Sequence, residues 1–378
     1  MIMVWLIFLP ALLYSAVILF LKNGLMKLKT PGEKGGHNFS VVIAARNEEK
    51  NIARCLSSVL NQNVDTDRFE VIVVNDRSTD NTGAIVKNLT QMYHNVKLVE
   101  VKETPPGLSP KKYAVQKGVE VADKEIIVFT DADCVVPSGW LDTIDRYFSE
   151  NTGLVQGITC YSSDPLMNKT FFGLQAIDFL SHGVVAAAAI GAGVPINSNA
   201  NNFAFRRTAF LSCGYGDKAC GVVSGDDDLL LQRIWKSRKW VVSFMADPRG
   251  AVKTKATPTL KEVFEQRKRW GSKTVHYCAP QVILLSSVFL FYGAAFMSLI
   301  LSLFDRAYFP VALSMLGLKI TGEAILLVPG IRIFRKDELR RYILPASLIQ
   351  LPLVLTAVFS GVFGRFDWKD QKFSRKVK

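Results

Sequence analysis

Apolar positions along the chain fall into two kinds of pattern. Residues 1–21 are almost wholly apolar, with no charge before Lys22, and further apolar runs occupy 282–304, 308–328 and 343–363. Each is long enough to cross a bilayer core as a helix. Between them the pattern shortens. Compact apolar runs predict strands at 40–45, 71–76, 96–101 and 126–130, and helical spacing predicts helices over 48–60, 80–92 and 112–121. Strands alternating with helices predict an α/β domain with a mostly parallel, doubly wound sheet. Ligands of such sheets bind beyond the carboxyl ends of the strands. Arg46, Asp76, Asp131 and Asp133 all fall at those ends.

The expected organisation is an N-terminal transmembrane anchor (1–21), a linker (22–38), a cytosolic α/β domain (39–278), a C-terminal membrane region (279–364) and a basic tail (365–378). Residues 1–21 have neither the basic n-region nor the small-residue cleavage site of a signal peptide. Lys22, Lys27, Lys29 and Lys34 follow the run, so the positive-inside rule places the domain in the cytosol. Arg332, Arg335, Lys336, Arg340 and Arg341 place the loop before the last apolar run there too. A full crossing by that run would then put the basic tail outside. Pro345 and Pro352 weaken it as a straight helix, so a re-entrant or interfacial segment is expected, keeping the tail in the cytosol.

Of the 378 residues 49% are hydrophobic, and the formal net charge is +13. Basic loops facing the cytosol account for the charge better than nucleic-acid binding does, because the Lys and Arg residues flank apolar runs. The six cysteines are scattered with no C-x-x-C, so neither a zinc site nor a disulfide framework is expected, only reduced thiols. No G-x-G-x-x-G or G-x-x-x-x-G-K-[ST] occurs, which argues against a dinucleotide oxidoreductase and a P-loop ATPase.

Four constellations carry candidate chemistry. Asp131 and Asp133 follow a fully apolar strand and share a face. They suit a hard divalent cation, Mg²⁺ or Mn²⁺, with phosphates as its other ligands; a strand-end turn is the plainer alternative. Asp76 ends another strand, where it can accept a base imino hydrogen or ribose hydroxyls, or serve as an N-cap. Asp226, Asp227 and Asp228 after Gly225 stand at a helix start, as an answer to the helix dipole or as the seat of a general base. Gln266, Arg269 and Trp270 share a helix face at i, i+3, i+4. Arg269 suits a phosphate and Trp270 a sugar face; a basic amphipathic helix on the membrane surface has the same pattern. Lys319 and Glu323, at i, i+4 within an apolar run, fit either an acceptor pathway or a mutually neutralising pair.

Taken in order, these motifs resemble the family 2 glycosyltransferases, in the membrane-bound branch with ceramide glucosyltransferase and polysaccharide synthases. Ala44-Ala45-Arg46-Asn47-Glu48 resembles the family's nucleotide-contacting P-A-R-N-E segment, with Ala where Pro is usual. Asp76 matches the uracil-contacting Asp. Lys111 matches the lysine of K-x-x-A-L, with Lys112 as an alternative. Asp131 and Asp133 match the metal motif, and residues 197–207 resemble the G-A-N-M-A-F-R-R segment near the sugar. Gly225-Asp226-Asp227 stands where the family has T-E-D or G-E-D, which gives Asp227 the place of the catalytic base. Asp226 replaces the usual Glu, with the register open by one position. Gln266, Arg269 and Trp270 match Q-x-x-R-W, at the diphosphate and acceptor end. Phe366-Asp367-Trp368-Lys369 resembles a tail motif usual in the cytosol.

The resemblance implies a GT-A (doubly wound, nucleotide-sugar-binding) domain with flanking transmembrane helices. It implies a metal-dependent, inverting hexosyltransferase taking a hexose or N-acetylhexosamine from a nucleotide sugar, UDP-linked, to a lipid or glycan acceptor. The setting is the cytosolic face of the cell (inner) membrane, with no nucleic-acid partner. The alternatives are a processive polysaccharide synthase subunit and a non-catalytic membrane scaffold.

Overall fold

The computed structural model describes residues 2–106, 108–213, 226–271, 277–363, 365–368 and 371–374. The chain forms two compact units, one of Leu28–Ser163 with Pro195–Lys255, the other of Met1–Lys27, Asp164–Val194 and Ala256–Lys378. In chain order the elements begin with α1 (Ile2–Met26), β1 (Phe39–Ala45), α2 (Ile52–Leu60), β2 (Phe69–Asp76), α3 (Thr82–Met92), β3 (Val96–Val101), α4 (Pro110–Val121) and β4 (Ile126–Phe129). There follow α5 (Trp140–Asp145), β5 (Thr152–Gly157), β6 (Thr159–Tyr161), α6 (Lys169–Gly191), β7 (Phe203–Arg206), α7 (Arg207–Ser212), α8 (Asp226–Lys236), β8 (Val241–Met245) and β9 (Val252–Thr254). The chain continues through α9 (Leu260–Gly271), α10 (Ala279–Ser302), α11 (Phe309–Ile333), α12 (Ile343–Phe363), β10 (Arg365–Trp368) and β11 (Gln371–Ser374).

The first unit is built on a sheet ordered β3-β2-β1-β4-β7-β5-β8. The strands β3, β2, β1 and β4 are mutually parallel, and β7 runs antiparallel to both β4 and β5. Both faces of the sheet are covered, which is why its strands read as continuous apolar runs. Val41, Ile43, Val71 and Val73 pack on one side with Leu56 of α2 and Trp140 of α5. Val42, Ile72 and Val74 pack on the other with Ala114 and Val115 of α4 and Leu231 of α8. The chain winds from β1 outward to β3 and then returns to place β4 on the far side of β1. The crevice between the carboxyl ends of β1 and β4 is thus the switch point where such sheets bind ligands.

α2 begins at Ile52, four residues later than its periodicity predicts. The segment before it uses its amides elsewhere. Asn47 takes a left-handed conformation, φ 54°, and the Glu48 and Glu49 N–H groups donate to Thr82 Oγ1 at 2.8 Å and Asp80 Oδ2 at 3.0 Å. The end of the expected linker is also held in place: the Gly36 and His37 N–H groups each donate to the Asp145 carboxylate at 3.1 Å. Cys55, Cys134, Cys160, Cys213 and Cys278 are free thiols; Cys220 lies outside the described residues.

In the second unit, five helices among the described residues are long and apolar enough to cross a membrane, spanning Ile7–Met26, Lys169–Gly191, Ala279–Ser302, Arg306–Ile333 and Asp337–Ser360. Four correspond to the expected runs. The fifth, α6, does not stand out in the sequence, because Lys169, Gln175, Asp178 and His182 interrupt its apolar pattern. It is the most enclosed of the five. Gly24 of α1 lies so close to it that a Cβ there would sit 2.0 Å from the Ala188 carbonyl oxygen. The last run is one continuous helix through Pro352, against the expected weakening. Pro345 falls in its first turn, where a missing N–H is tolerated. The basic tail carries a small antiparallel hairpin, Arg365 opposite Ser374 and Trp368 opposite Gln371; Lys369 lies outside the described residues.

Candidate active site

Ala44 and Arg46 stand at the carboxyl end of β1, and Asp131 follows β4, so all three flank the switch point of the sheet. The Lys111 ammonium, in the first turn of α4, lies 2.8 Å from Asp131 Oδ1. Lys112 is fully buried, at 1% exposure, and its side chain belongs to the interior of the fold. Of the two lysines the sequence left open, Lys111 is seen to pair with Asp131.

Asp133 lies deeper. Burial, then the charges of Asp131 and Glu48, push its carboxyl above the usual range, while Cys134 and Lys111 act in the other direction. An excess of negative charge is therefore gathered there, and a cation relieves it. Among the described residues no group of three or more His, Cys, Asp or Glu forms a metal-holding cluster. Among those residues the switch point offers the carboxylates of Asp131 and Asp133, not a cage. That donor set fits Mg²⁺ or Mn²⁺, which take one or two carboxylates and fill their remaining positions with phosphates and water.

Asp76 ends β2 and is buried, at 5% exposure. Its carboxylate is held by the adjacent Arg77, whose Nε lies 2.8 Å from Oδ1; Arg77 itself is left-handed, φ 55°. Sequence reading overlooked Arg77, because a single basic residue next to a strand end has no periodic signature. Glu48 Oε2 accepts from Asn51 Nδ2 at 2.8 Å. The loops after β1 and β2 are laced together: Asn47 Oδ1 accepts the Thr79 N–H at 2.8 Å, and Glu49 Oε2 the Asn81 N–H at 3.1 Å.

The acidic cluster opens α8. Asp227 Oδ2 accepts the Ala200 N–H at 3.0 Å, and Oδ1 accepts the Asp228 N–H at 3.0 Å. Asp228 is buried, at 2% exposure, and its Oδ1 takes the Ser198 N–H at 2.6 Å. Both carboxylates thus hold the loop whose Asn-rich sequence was singled out. Two residues further on, buried Asn202 accepts from Trp140 Nε1 at 2.9 Å and donates to the Ile158 and Gly250 carbonyls, each at 2.8 Å. Gly225 and the side chain of Asp226 lie outside the described part of the chain.

Gln266, Arg269 and Trp270 belong to the other unit, on one face of α9. The residue between them, Arg267, is buried and paired with Asp178 of α6. Trp270 lies among protein groups, its ring 5.0 Å from that of His182 and 6.0 Å from that of Phe179. Lys319, fully buried, binds Glu323 and the Ser347 carbonyl at 2.7 Å, and Tyr292 donates to Glu323 at 2.6 Å. The pair is closed by protein partners, as a neutralising structural pair is.

The description Glycosyl transferase family 2 matches residues 40–171, and Glycosyl transferase family group 2 matches residues 126–357, more than half of the chain. The chain belongs to the family 2 glycosyltransferases. It is similar to the beta-monoglucosyldiacylglycerol synthase of Synechocystis sp., 25% identical over 61% of this chain and 46% of that protein. It is similar to the poly-beta-1,6-N-acetyl-D-glucosamine synthase of Staphylococcus epidermidis, 26% identical over 61% of this chain and 53% of that protein. The chain thus spans about half the length of these relatives. Among solved structures it resembles the mannosyltransferase PcManGT from Pyrobaculum calidifontis, in complex with GDP-Man and Mn²⁺. The TM-score is 0.62 at 17% identity, over 96% of this chain and 99% of that one, a likeness of fold. The fold is GT-A.

Proposed function

We propose that the protein is a membrane-anchored, inverting glycosyltransferase moving a hexose or N-acetylhexosamine from a UDP-sugar to a lipid acceptor at the cytosolic face of the cell membrane. One observation carries the reading: Asp131, at the switch point of the sheet, faces Lys111 at 2.8 Å beside the charge-crowded Asp133. Lys111 gives an incoming diphosphate a cation to pair with. Asp131 and Asp133 would hold Mg²⁺ or Mn²⁺, which supplies neutralisation of the departing diphosphate. Ala44, Arg46 and Glu48 line the nucleotide end, and Asp76 takes the imino hydrogen of the base. Asp227, oriented by the Ala200 and Asp228 amides, takes the proton from the acceptor hydroxyl as that oxygen attacks the anomeric carbon. Gln266, Arg269 and Trp270 serve the diphosphate and acceptor end.

A lipid acceptor is supported by the five long apolar helices and by the glucosyldiacylglycerol synthase among the relatives. A second reading, a polymer-forming synthase, is favoured by the poly-N-acetylglucosamine synthase, of nearly the same identity. The test is to incubate membranes containing the protein with radiolabelled UDP-glucose and UDP-N-acetylglucosamine, and to separate extractable lipid from precipitable polymer. The expected result is label in lipid, one sugar per acceptor, lost on chelation, restored by Mn²⁺ and absent in Asp131→Ala. Label in polymer establishes the second reading. Transfer by Asp131→Ala at the wild-type rate overturns the assignment of the site.

A further inference from the structure

The charged groups of the second unit offer a role that the Q-x-x-R-W pattern itself leaves unassigned. Asp178 is the one acidic residue of α6 and is only 8% exposed. A carboxylate in a helix of this kind is costly unless it is paired. Two other helices supply the partners of its carboxylate. Arg267 of α9 reaches it through Nε at 2.9 Å and through Nη2, both on Oδ2. Gln350 of α12 donates to Oδ1 at 2.8 Å. The Asp178 backbone carbonyl is met by His182 Nδ1 at 2.8 Å, and the His182 ring stands edge-on to Trp270.

Arg267 does more than neutralise Asp178. Its Nη1 donates to Gln266 Oε1 at 2.8 Å, and its guanidinium centre lies 4.1 Å from the Trp270 ring centroid. A guanidinium only donates hydrogen bonds. It therefore takes the oxygen of the Gln266 carboxamide and turns the NH₂ end away from itself, the end an anionic diphosphate needs. The same plane stacks against the indole and sets its tilt. One buried cation thus orients two of the three signature side chains, and its own position is set by Asp178.

We propose that Asp178 is a positioning residue for the Gln266–Arg269–Trp270 face, acting through Arg267. The inference rests on the reading that this face serves the diphosphate and acceptor end of the reaction. It predicts that the charge pair matters for transfer beyond its contribution to folding.

The deciding variant is the double substitution Asp178→Leu with Arg267→Leu. Replacing a buried ion pair by apolar residues of similar size is often neutral for stability, but it removes the fork on Gln266 and the stack on Trp270. The full chain is assayed in nanodiscs for Tm, for UDP binding, and for transfer from whichever of radiolabelled UDP-glucose and UDP-N-acetylglucosamine the wild type uses. The expected result is wild-type Tm with weakened UDP affinity and transfer reduced ~10²-fold, the cost of misplacing a reacting group by about 1 Å. Wild-type transfer by the folded double variant overturns the proposal and leaves the pair a packing device. If that variant is not recovered, Arg267→Lys decides. It keeps the charge on Asp178 and loses both the fork and the planar stack. A tenfold or greater loss of kcat at unchanged Tm supports positioning, and a loss below twofold overturns it. Arg269→Ala and Trp270→Ala, run in parallel, separate the two layers. If these retain wild-type transfer, it is the role of the signature face that fails; if they lose it while Asp178→Asn keeps it, the positioning role alone fails.

Discussion

The Asp228 carboxylate accepts the Ser198 N–H at 2.6 Å inside the fold, while Asp227, one residue earlier, is only partly buried and takes the Ala200 N–H. Adjacent aspartates at the start of one helix thus have different surroundings. Asp228 is enclosed by protein and ties down the loop before β7. Asp227 helps to hold the same loop and is the more open of the two.

This difference predicts separable phenotypes. On the proposed role of Asp227 as base, Asp227→Asn keeps the shape and removes the proton acceptor, so transfer falls ~10²–10⁴-fold with UDP affinity unchanged and Tm only slightly lowered, one oxygen still accepting a loop amide. Asp228→Ala strands the Ser198 amide and costs about 1–3 kcal/mol of stability, read as a lowered Tm and denaturation midpoint. Steady-state transfer and thermal melts on both variants check the assignment. Full activity in Asp227→Asn would move the base elsewhere, and loss of transfer in Asp228→Asn at unchanged Tm would shift the register by one.

Much of the sheet was legible because strands buried on both faces are apolar through their centres, as β1, β2 and β4 are. Their carboxyl ends could be located for the same reason, and with them Arg46, Asp76, Asp131 and Asp133. The lysine choice could not be read from sequence, because Lys111 and Lys112 differ only in the phase of α4 against the sheet. Nor could α6: Asp178 finds its partners on α9 and α12 and Gln175 on Thr257, all far along the chain, while His182 answers α6's own Asp178 carbonyl. Spacing singled out Arg269, but which arginine of α9 is buried depends on Asp178, ~90 residues away in the chain. The lone acidic residue of α6 was the one available signal.

The pinned end of the linker gives the protein a pH-dependent element. Burial opposes ionisation of Asp145. Hydrogen bonds from the His37 ring and backbone and from Arg68 outweigh it and hold the carboxyl at about 2. A carboxyl depressed on folding stabilises the protein above its unfolded value, ordinarily 3.8, and that stability is lost as pH falls toward about 2. Asp145 is buried but its partner Arg68 is partly exposed, so the contribution is on the order of 1–2 kcal/mol. Asp145→Asn should lower Tm at neutral pH, and the gap between variant and wild type should close between about pH 4 and pH 2. Melts across that range check this, and a gap independent of pH would show that the effect lies in packing.

The last prediction concerns the buried charges of α11. Lys319 has no exposed surface, and its ammonium is met by Glu323, the Ser347 carbonyl at 2.7 Å and Ser347 Oγ at 3.2 Å. Tyr292 of α10 donates to Glu323 at 2.6 Å, and Tyr14 of α1 donates to the Lys319 carbonyl at 3.3 Å. Four helices therefore meet on one ion pair. Glu323→Leu leaves an uncompensated cation where no water reaches it, and breaking a buried pair in this way costs about 3–5 kcal/mol. The variant should be poorly recovered from membranes and melt well below the wild type. Lys319→Leu combined with Glu323→Leu removes both charges and should regain most of the lost stability, with transfer activity returning alongside it. Thermal melts and transfer assays on the single and double variants check the cycle. A double variant that folds fully yet has no transfer would instead make these two residues part of the acceptor's route.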